Sequence, residues 1–214
     1  MHKLPFDRSL GDKINRLLRA RKLLLASASP RRSIILSRSG VDFSVKRCLI
    51  PEPALDGLKP HQVALKLAEM KATEVTRYFP KHVVLGADTV VVLKNEILGK
   101  PKDRDDAFRM LSELSGRTHT VHTALAIEIR KLNFKRGDYE TTKVKFKKLT
   151  PEDIENYIIS GEPMDKAGAY GIQGLGQSLV KSISGPLDNV VGLPLARLTK
   201  LLEELPPLPE GEDN

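Results

Sequence analysis

The pattern of apolar and polar positions along the chain predicts strands that alternate with helices. Apolar runs at Leu23–Ala26 and Val83–Leu93 are typical of buried strands, and β-branched residues dominate the longer run. Regular alternation over Thr118–Ile129 and residues 142–147 predicts two further strands, each with one polar face. A last core strand is predicted at residues 189–193.

Helices are predicted where apolar residues recur every three or four positions. Most of these segments place a proline in the first turn, where its missing N–H costs nothing, and several stop at a glycine. Their predicted starts are Pro30 behind Ser29 as N-cap, Pro60, a position near Asp103, Pro151 in a Thr150 capping box, and Pro194. The alternation predicts an α/β fold with a mixed central sheet and flanking helices.

A single working domain is expected at residues 21–205. Residues 1–20 contain a short amphipathic helix and are assigned to an N-terminal extension. Residues 206–214 form an acidic, proline-rich tail that we expect to fray. The sequence contains no internal repeat and no long Gly/Ser linker, so nothing divides the core.

Composition leads us to expect a cytoplasmic protein that is not embedded in a membrane. Of the 214 residues, 40% are hydrophobic, but no apolar run approaches the roughly 20 residues needed to span a bilayer. The single Cys48 has no partner for a disulfide within the chain, and the N-terminus lacks a basic region followed by an apolar run.

The net charge of +8 is concentrated near the N-terminus. Residues 1–50 contain twelve Lys or Arg and three Asp or Glu, so they carry +9 and the rest of the chain carries −1. Such a segment fits nucleic acid, an acidic membrane surface, a phosphate-bearing small molecule or a merely solvated face. The charge alone does not choose among them.

Residues 27–32, between a predicted strand and a predicted helix, are the first candidate site. A helix start offers unbonded N–H groups and a partial positive charge, which favour anions. Arg31 and Arg32 in the first turn oppose that dipole, which suggests a functional reason such as phosphate binding. The alternative is that both arginines simply point into water.

Asp88 is the second candidate, because it interrupts an otherwise apolar strand. A carboxylate there is costly unless it is paired, bound to metal or placed at the open end of the strand, where ligands bind in α/β sheets. Asp88 could therefore hold a divalent metal or accept a proton from an attacking water. The alternative is a structural Asp that caps a neighbouring helix.

Three weaker signals lie elsewhere. Lys100 follows Gly99 in a turn, and Lys71 lies in a predicted helix; alone, each passes as a surface lysine. The glycine-rich residues 164–176 could bring backbone donors and Gln173 close to a nucleobase, or could form a plain turn. This segment matches neither the P-loop nor the dinucleotide-binding glycine pattern.

Metal-cluster and nucleophile schemes find little support in the sequence. His119 and His122 are three apart in an alternating strand and should face opposite sides, so they make a poor ligand pair. With one cysteine and no Gly-x-Ser-x-Gly elbow, thiol and serine nucleophiles are not indicated.

Together these segments closely resemble the Maf family, named for septum-formation inhibition. The matching motifs are residues 26–32 (ASASPRR), 86–89 (GADT), 98–101 (LGKP), 114–117 (LSGR) and 165–174 (DKAGAYGIQG), in order and within a likeness covering about residues 22–203. The resemblance implies an α/β fold similar to that of Maf proteins and ITPases, in which two lobes enclose an active-site cleft. It further implies a nucleotide pyrophosphatase that cuts between the α- and β-phosphates and uses Mg²⁺ or Mn²⁺.

The resemblance also implies roles for individual residues. Asp88 matches the proton acceptor of the family, and the matching phosphate-engaging positions are Arg31, Lys71 and Lys100, with Ser29 and Arg32 in the same anion-binding turn. The family uses an acidic residue before the Lys71 helix, for which Glu52, flanked by prolines, is available. Glu52 and Asp88 are therefore the expected metal ligands.

Within the family, Thr89, Gln173 and Arg31 resemble the group that acts on dTTP and UTP. A primary amide can pair with the O4 and N3–H edge of uracil or thymine, which agrees with this assignment. The expected roles are sanitation of the nucleotide pool, including modified pyrimidine nucleotides, or arrest of cell division. The choice of nucleotide and metal, the oligomeric state (a homodimer is one option) and the purpose of residues 1–20 stay open.

The alternative function is a non-catalytic protein that binds nucleic acid or regulates division through its basic N-terminal segment. Aromatic residues make up only 5% of the chain and RNP-like clusters are missing, which counts against base stacking. We therefore expect a nucleoside triphosphate, and no nucleic acid, as the binding partner.

Overall fold

Seven strands form one mixed sheet in the computed structural model, which describes residues 6–48, 50, 51, 53 and 55–208. The strands are β1 (Leu23–Ala26), β2 (Phe43–Lys46), β3 (Val83–Leu93), β4 (Glu96–Leu98), β5 (Thr118–Ile129), β6 (Phe134–Phe146) and β7 (Val180–Ser184). Their order is β2-β1-β3-β5-β6-β7, with β4 paired to β3. β1 runs parallel to β2 and β3, whereas the other pairs are antiparallel. The predicted α/β fold with a mixed sheet is confirmed.

Seven α-helices flank this sheet in the described part of the chain. They are α1 (Arg8–Leu18), α2 (Pro30–Arg38), α3 (Pro60–Thr76), α4 (Arg104–Leu114), α5 (Pro151–Ile159), α6 (Leu187–Val191) and α7 (Leu195–Glu203). Short 3-10 turns occupy Arg130–Leu132, Glu162–Asp165, Ala167–Ala169 and Gly174–Leu179. No helix among the described residues is both long and apolar enough to cross a bilayer.

The predicted helix starts agree with the structure because local capping chemistry fixes them. Ser29 is the N-cap of α2, and a proline occupies the first turn of α2, α3 and α5. Thr150 and Asp153 form the expected capping box, in which each side chain accepts a hydrogen bond from the other residue's backbone N–H. Asp103 likewise caps α4.

Three apolar clusters pack on the sheet, and strand alternation separates them. The α3 cluster, with Ala68, Ala72 and Val84, covers one face. On the opposite face, the α7 cluster includes Leu85 and Leu198 from one end of the sheet. The α4 cluster, with members Val91, Leu111 and Val121, covers the other end of that face. Thr89 lies on this face of β3 between the two clusters, because it falls between Ala87 and Val91 in the alternation.

The predicted strand at residues 189–193 is wrong, because residues 187–191 form the short helix α6. A five-residue apolar run is ambiguous between helix and strand. Here the buried Asn189 side chain bonds to β5 by accepting from Thr123 N and donating to Val121 O. Gly192 then ends the helix at φ 114°, a conformation that glycine adopts readily.

The predicted polar face of β5 is also wrong over most of the strand. The residues from Thr123 onward are buried on both faces, since α3 packs on one and the α7 cluster on the other. Only Thr118, Thr120 and His122 retain exposure. β6 in turn begins at Phe134, well before the predicted start at residue 142.

The first and last helices of the described chain pack against each other. Ile14 and Leu18 of α1 join the α7 cluster, and Lys13 pairs with Glu203 of α7 at 2.6 Å. Arg21 Nη2 donates to the carbonyl oxygens of Pro206 at 2.8 Å and Pro207 at 2.9 Å. We expect residues 206–214 to fray. The first two of them are bonded to Arg21, and residues 209–214 lie outside the described residues.

Candidate active site

A cavity of about 850 Å³ is bordered by residues from all three clusters. Every site residue that was predicted from the sequence and that the structure describes lines this cavity. These residues are Ser29, Arg31, Arg32, Lys71, Asp88, Thr89, Lys100 and Gln173. The remaining one, Glu52, lies outside the described residues. Segments that are far apart in the sequence therefore converge on one candidate site.

The register of the parallel strands explains how a buried strand can carry Asp88. β1 pairs with β3 only as far as Ala26 opposite Gly86, after which β1 turns into residues 27–29 and α2. β3 continues to Leu93, so Asp88 lies just beyond the end of its parallel neighbour. This is the strand end where α/β sheets bind ligands. Asp88 is 8% exposed and lines the cavity.

Gly86 allows α3 to lie directly on β3. A side chain at this position would place its Cβ 2.0 Å from the carbonyl oxygen of Ala68 and 2.9 Å from Ala72 N. The close approach brings Lys71 of α3 over Asp88, and Lys71 Nζ donates to Asp88 Oδ1 at 2.5 Å. Both side chains are largely buried, so this is a shielded ion pair at the cavity wall.

The turn between β1 and α2 supplies a helix start of the kind that favours anions. Ser27 Oγ accepts a hydrogen bond from Ser29 N at 3.1 Å, which fixes the turn. Ser29 is the N-cap residue, yet its hydroxyl makes no capping bond. Ser29 and Arg31 both line the cavity at this helix start, where the dipole favours negative charge.

Arg32 is buried and ties three segments together. Its Nε donates to Gly192 O at 2.9 Å, its Nη1 to Ser27 Oγ at 2.9 Å and its Nη2 to Thr89 Oγ1 at 3.1 Å. Burial lowers the pKa of this guanidinium, although the Asp88 carboxylate opposes that shift. The structure thus uses Arg32 to fix the β1–α2 turn to β3, beside any contact with a ligand.

Thr89 continues this network away from Asp88. Adjacent residues of a strand face opposite sides, so Asp88 lies towards α3 and Thr89 towards Arg32. Thr89 Oγ1 also bonds with Thr123 Oγ1 at 2.9 Å, and Thr123 Oγ1 donates to Asn189 O at 2.7 Å. Buried hydroxyls satisfied in this way stiffen the wall that carries Asp88.

Asp165 and Lys166 complete the opposite wall, and neither was assigned a role from the sequence. Arg31 Nη1 lies 3.6 Å from Asp165 Oδ2, and Lys166 Nζ lies 2.5 Å from Asp165 Oδ1. Lys166 Nζ also donates to Glu162 O at 2.6 Å. The only signal in the sequence was an adjacent Asp and Lys near a glycine stretch. Arg31, the partner of Asp165, is remote in the sequence.

Lys100 and Gln173 stand on turns that contact each other through the backbone. Gly99 O accepts from Gly168 N at 2.9 Å, which joins the Lys100 turn to the glycine-rich segment. Gly168 has φ 69° and packs against Val91, where a Cβ would lie 2.8 Å from Cγ1. Lys100 is exposed and Gln173 is half-buried, and both line the cavity.

Tyr170 anchors the glycine-rich segment in the α4 cluster. Tyr170 Oη bonds with Nε2 of the buried His119 on β5 at 2.7 Å. Burial lowers the pKa of His119 to about 4 and raises that of Tyr170, so both side chains are held neutral. The expectation that His119 and His122 face opposite sides is confirmed, since His122 Nδ1 bonds with Thr141 on the other face.

The charges at the cavity favour a polyanion. Among the described residues, the basic side chains that line it are Arg31, Arg32, Lys71, Lys100 and Lys166, and the acidic ones are Asp56, Asp88 and Asp165. Five cations against three anions, together with a helix start, leave an excess of positive charge. The described residues contain no group of three His, Cys, Asp or Glu side chains that could by itself hold a metal ion.

The sequence is similar to known proteins over most of its length. The family model of Maf-like proteins matches residues 22–205. A dTTP/UTP pyrophosphatase of Aquifex aeolicus (strain VF5) is 49% identical over 184 residues, which cover 86% of this chain and 95% of that protein. Proteins of the same name from Thermoanaerobacter sp. (strain X514) and Clostridioides difficile (strain 630) are each 47% identical, covering 85% of this chain and 95% and 94% of their own lengths.

Proposed function

The protein belongs to the Maf-like family, and we propose that it hydrolyses dTTP and UTP to the nucleoside monophosphate and pyrophosphate. The single observation that carries this proposal is the buried Lys71–Asp88 pair, which lies in a cationic cavity beside the start of α2. Similarity at 44–49% identity to proteins named dTTP/UTP pyrophosphatase supports the choice of substrates.

The proposed mechanism relies on positioning and electrostatics. Arg31, Lys71 and Lys100 hold the triphosphate, and the start of α2 adds Ser29 and backbone donors. Asp88 accepts a hydrogen bond from the attacking water and orients it, then takes its proton as the new P–O bond forms. The bond to the leaving pyrophosphate breaks on the opposite side, and the lysines offset the charge that develops there.

We propose that Arg32 and Thr89 contribute mainly by holding the walls. Arg32 is bonded through all three guanidinium nitrogens to protein oxygens, so it fixes the β1–α2 turn at the correct distance from Asp88. Thr89 connects that guanidinium to β5 through Thr123. Preorganised walls matter because small displacements of reacting groups cost large factors in rate.

A divalent cation fits the donor chemistry of this cavity when it arrives with the substrate. Mg²⁺ commonly uses one or two carboxylates together with substrate phosphates and retains water ligands, so it needs no protein-only cluster. Asp88, with Glu52 as the second expected ligand, supplies the protein oxygens in this proposal. The ion, Mg²⁺ or Mn²⁺, would neutralise phosphate charge and polarise a phosphoryl oxygen.

We assign recognition of the pyrimidine to Gln173. Its side chain lines the cavity and is carried by an extended residue just before a 3-10 turn. A primary amide can donate to O4 and accept from N3–H of uracil or thymine.

We further propose that the protein is cytoplasmic, that it forms a homodimer and that its catalytic core spans residues 21–205.

A panel of nucleoside triphosphates with product analysis tests the proposed function. Incubation with dTTP or UTP and Mg²⁺ should yield monophosphate and pyrophosphate in equal amounts. Release of single phosphates would indicate an ordinary phosphatase instead. Steeply salt-dependent retention on DNA without any turnover would favour the nucleic-acid-binding alternative.

A further inference from the structure

The glycine-rich loop, residues 170–176, is wrapped around the carboxylate of Glu162. Oε2 of Glu162 accepts a hydrogen bond from Leu175 N at 3.0 Å, and Oε1 accepts from Gly176 N at 3.2 Å. The hydroxyl of Tyr157 donates to Oε1 at 2.9 Å. One half-buried carboxylate therefore holds two backbone N–H groups and a phenol.

The glycines of the loop make room for this carboxylate. A Cβ at Gly174 would lie 2.7 Å from Glu162 Oε2, and a Cβ at Gly171 would lie 3.2 Å from Oε1. At Gly176, a Cβ would meet Gly171 O at 2.3 Å and the Tyr157 hydroxyl at 2.6 Å. Glu162, Tyr157 and the Lys166 side chain, whose Cε would lie 2.8 Å from a Cβ at Gly171, thus fill the inside of the loop and explain the spacing of its glycines.

Tyr157 holds the other end of the loop, at Gly171. Its hydroxyl accepts a hydrogen bond from Gly171 N at 3.0 Å while it donates to Glu162. The tyrosine projects from α5 and is 5% exposed, and its burial raises its pKa, so the phenol keeps the proton that it donates. Gly171 and Leu175 are thereby fixed to one polar pair.

Gln173 lies between these two fixed points. Two residues before it, Gly171 N donates to the Tyr157 hydroxyl. Two residues after it, Leu175 N donates to the Glu162 carboxylate. Gln173 lines the cavity, whereas Glu162 and Tyr157 do not. Because neither of these two side chains reaches the cavity, the loop residues that they hold transmit their effect to a bound nucleotide.

We propose that Glu162 and Tyr157 are positioning residues that fix the Gln173 amide and thereby set the selectivity of the site for uracil and thymine. This inference rests on the proposed function. It separates the two halves of substrate recognition: the triphosphate is held by α2, α3 and the Lys100 turn, whereas the base is read by a loop that a carboxylate holds from behind.

The variant Glu162→Gln tests this separation with the least change of shape. The amide replaces one acceptor oxygen by an NH₂ group that must face either Leu175 N or both Gly176 N and the Tyr157 hydroxyl. An unpaired or repelled backbone N–H loosens the loop. We expect KM for dTTP to rise about tenfold, kcat to change by less than about twofold, and the ratio of kcat/KM for dTTP over dCTP to fall by about tenfold.

Two controls separate positioning from general damage. Inhibition by inorganic triphosphate, which has no base, should be unchanged in Glu162→Gln. The matched variant Glu155→Gln removes the same charge from an exposed position of α5 and should preserve both KM and selectivity. A Glu162→Gln variant that keeps wild-type selectivity would overturn the proposal, as would an equal loss for dTTP, dCTP and triphosphate inhibition.

Tyr157→Phe provides a second route to the same readout. It removes the acceptor of Gly171 N and should lower the dTTP to dCTP ratio in the same direction, and the double variant should show less than the product of the two effects. If Glu162→Gln does not fold, as judged by circular dichroism, Tyr157→Phe decides the question alone. Fully multiplicative effects would mean that the two residues do not act through one loop.

Failure of the proposed function gives a different result. In that case the wild-type protein releases no pyrophosphate from dTTP. Selectivity is then measured as the ratio of the equilibrium dissociation constants of dTTP and dCTP, determined by calorimetry, instead of the ratio of kcat/KM. A fall of about tenfold in their ratio in Glu162→Gln supports the positioning role, and an unchanged ratio contradicts it.

Discussion

The two walls of the cavity are built in different ways. Asp88 and Lys71 stand on regular elements, since β3 is hydrogen-bonded to β1 and β5 and α3 lies on Gly86 without an intervening side chain. Gln173 stands on short 3-10 turns that are held by side chains, chiefly Glu162 and Tyr157. A wall made of strand ladders can move only if the core moves, whereas a loop held by a few polar bonds can change alone.

This difference suggests how the chemistry and the selectivity are divided. Water activation and phosphate binding need fixed distances, which the sheet supplies. Base recognition needs only a few directed hydrogen bonds, and each of these contributes about 1 kcal/mol. Substitutions on the sheet side should therefore affect turnover or stability, and those on the loop side should affect selectivity.

The largest effect is expected at Asp88. Asp88→Asn keeps the size of the side chain but removes the proposed base and the charge that pairs with Lys71. We expect kcat for dTTP to fall by about 10³-fold, within the range for loss of a general base. The variant should remain folded, as judged by circular dichroism, since the Asn amide oxygen can still accept a hydrogen bond from Lys71 Nζ. Near-normal pyrophosphate release from Asp88→Asn would show that another group activates the water.

Gly86→Ala tests whether the close packing of α3 places Lys71. The new methyl group would overlap the backbone of Ala68, so α3 must shift. We expect a loss of about 3 kcal/mol in the free energy of unfolding, measured by urea titration, together with reduced turnover. Gly99→Ala is the control for stability, because a Cβ there meets no atom within 4 Å. Equal stability of the two variants would contradict the packing argument.

Acid should weaken the anchor of the glycine-rich loop through His119. The folded-state pKa of about 4 lies below the usual 6.5, so His119 binds a proton more readily in the unfolded chain. Its contribution to stability is present above pH 6.5 and is lost as the pH falls towards 4. The loss should reach about 2 kcal/mol near pH 5.

His119→Gln isolates this contribution. The glutamine amide can keep a hydrogen bond to Tyr170 but does not titrate. The variant should therefore show a shallower decline of the unfolding free energy between pH 6.5 and about 4.5 than the wild-type protein. Parallel pH profiles for the two proteins would show that protonation of His119 does not cause the loss of stability in acid.

The smallest effect is expected at the ion pair that crosses the cavity. Asp165 is exposed, and its contact with Arg31 is 3.6 Å, so the pair contributes little to stability. Asp165→Asn frees Arg31 from a competing carboxylate, and KM for dTTP should fall by about two- to threefold at low salt. The change should vanish at high ionic strength. A rise in KM would instead assign Asp165 a direct part in binding.

Much of the fold follows from local sequence signals. Prolines and caps fixed the starts of α2, α4 and α5, and the β-branched run fixed the ends of β3. The exceptions are informative. Residues 187–191 form a helix because Asn189 bonds to β5, and the polar face expected for β5 is covered over most of its length by packing from distant segments.

The candidate site was predictable in its residues but not in its connections. Motif resemblance selected Asp88, Lys71, Arg31 and Gln173, and all of them line one cavity. Nothing in their spacing indicated that Lys71 would pair with Asp88 or that Arg31 would contact Asp165. Glu162 gave no signal at all, because the two backbone N–H groups that it accepts from lie more than ten residues away.

By itself, the sequence determined where most of the helices begin, which family the chain resembles and which residues are candidates for the chemistry. Such features depend on local sterics, capping and composition, which act over a few residues. Only the tertiary structure decided which charges meet, which face of β5 is buried and what holds the glycine-rich loop. Those outcomes depend on the register of β1 against β3 and on the approach of α3 at Gly86, and such contacts join residues that the chain order keeps apart.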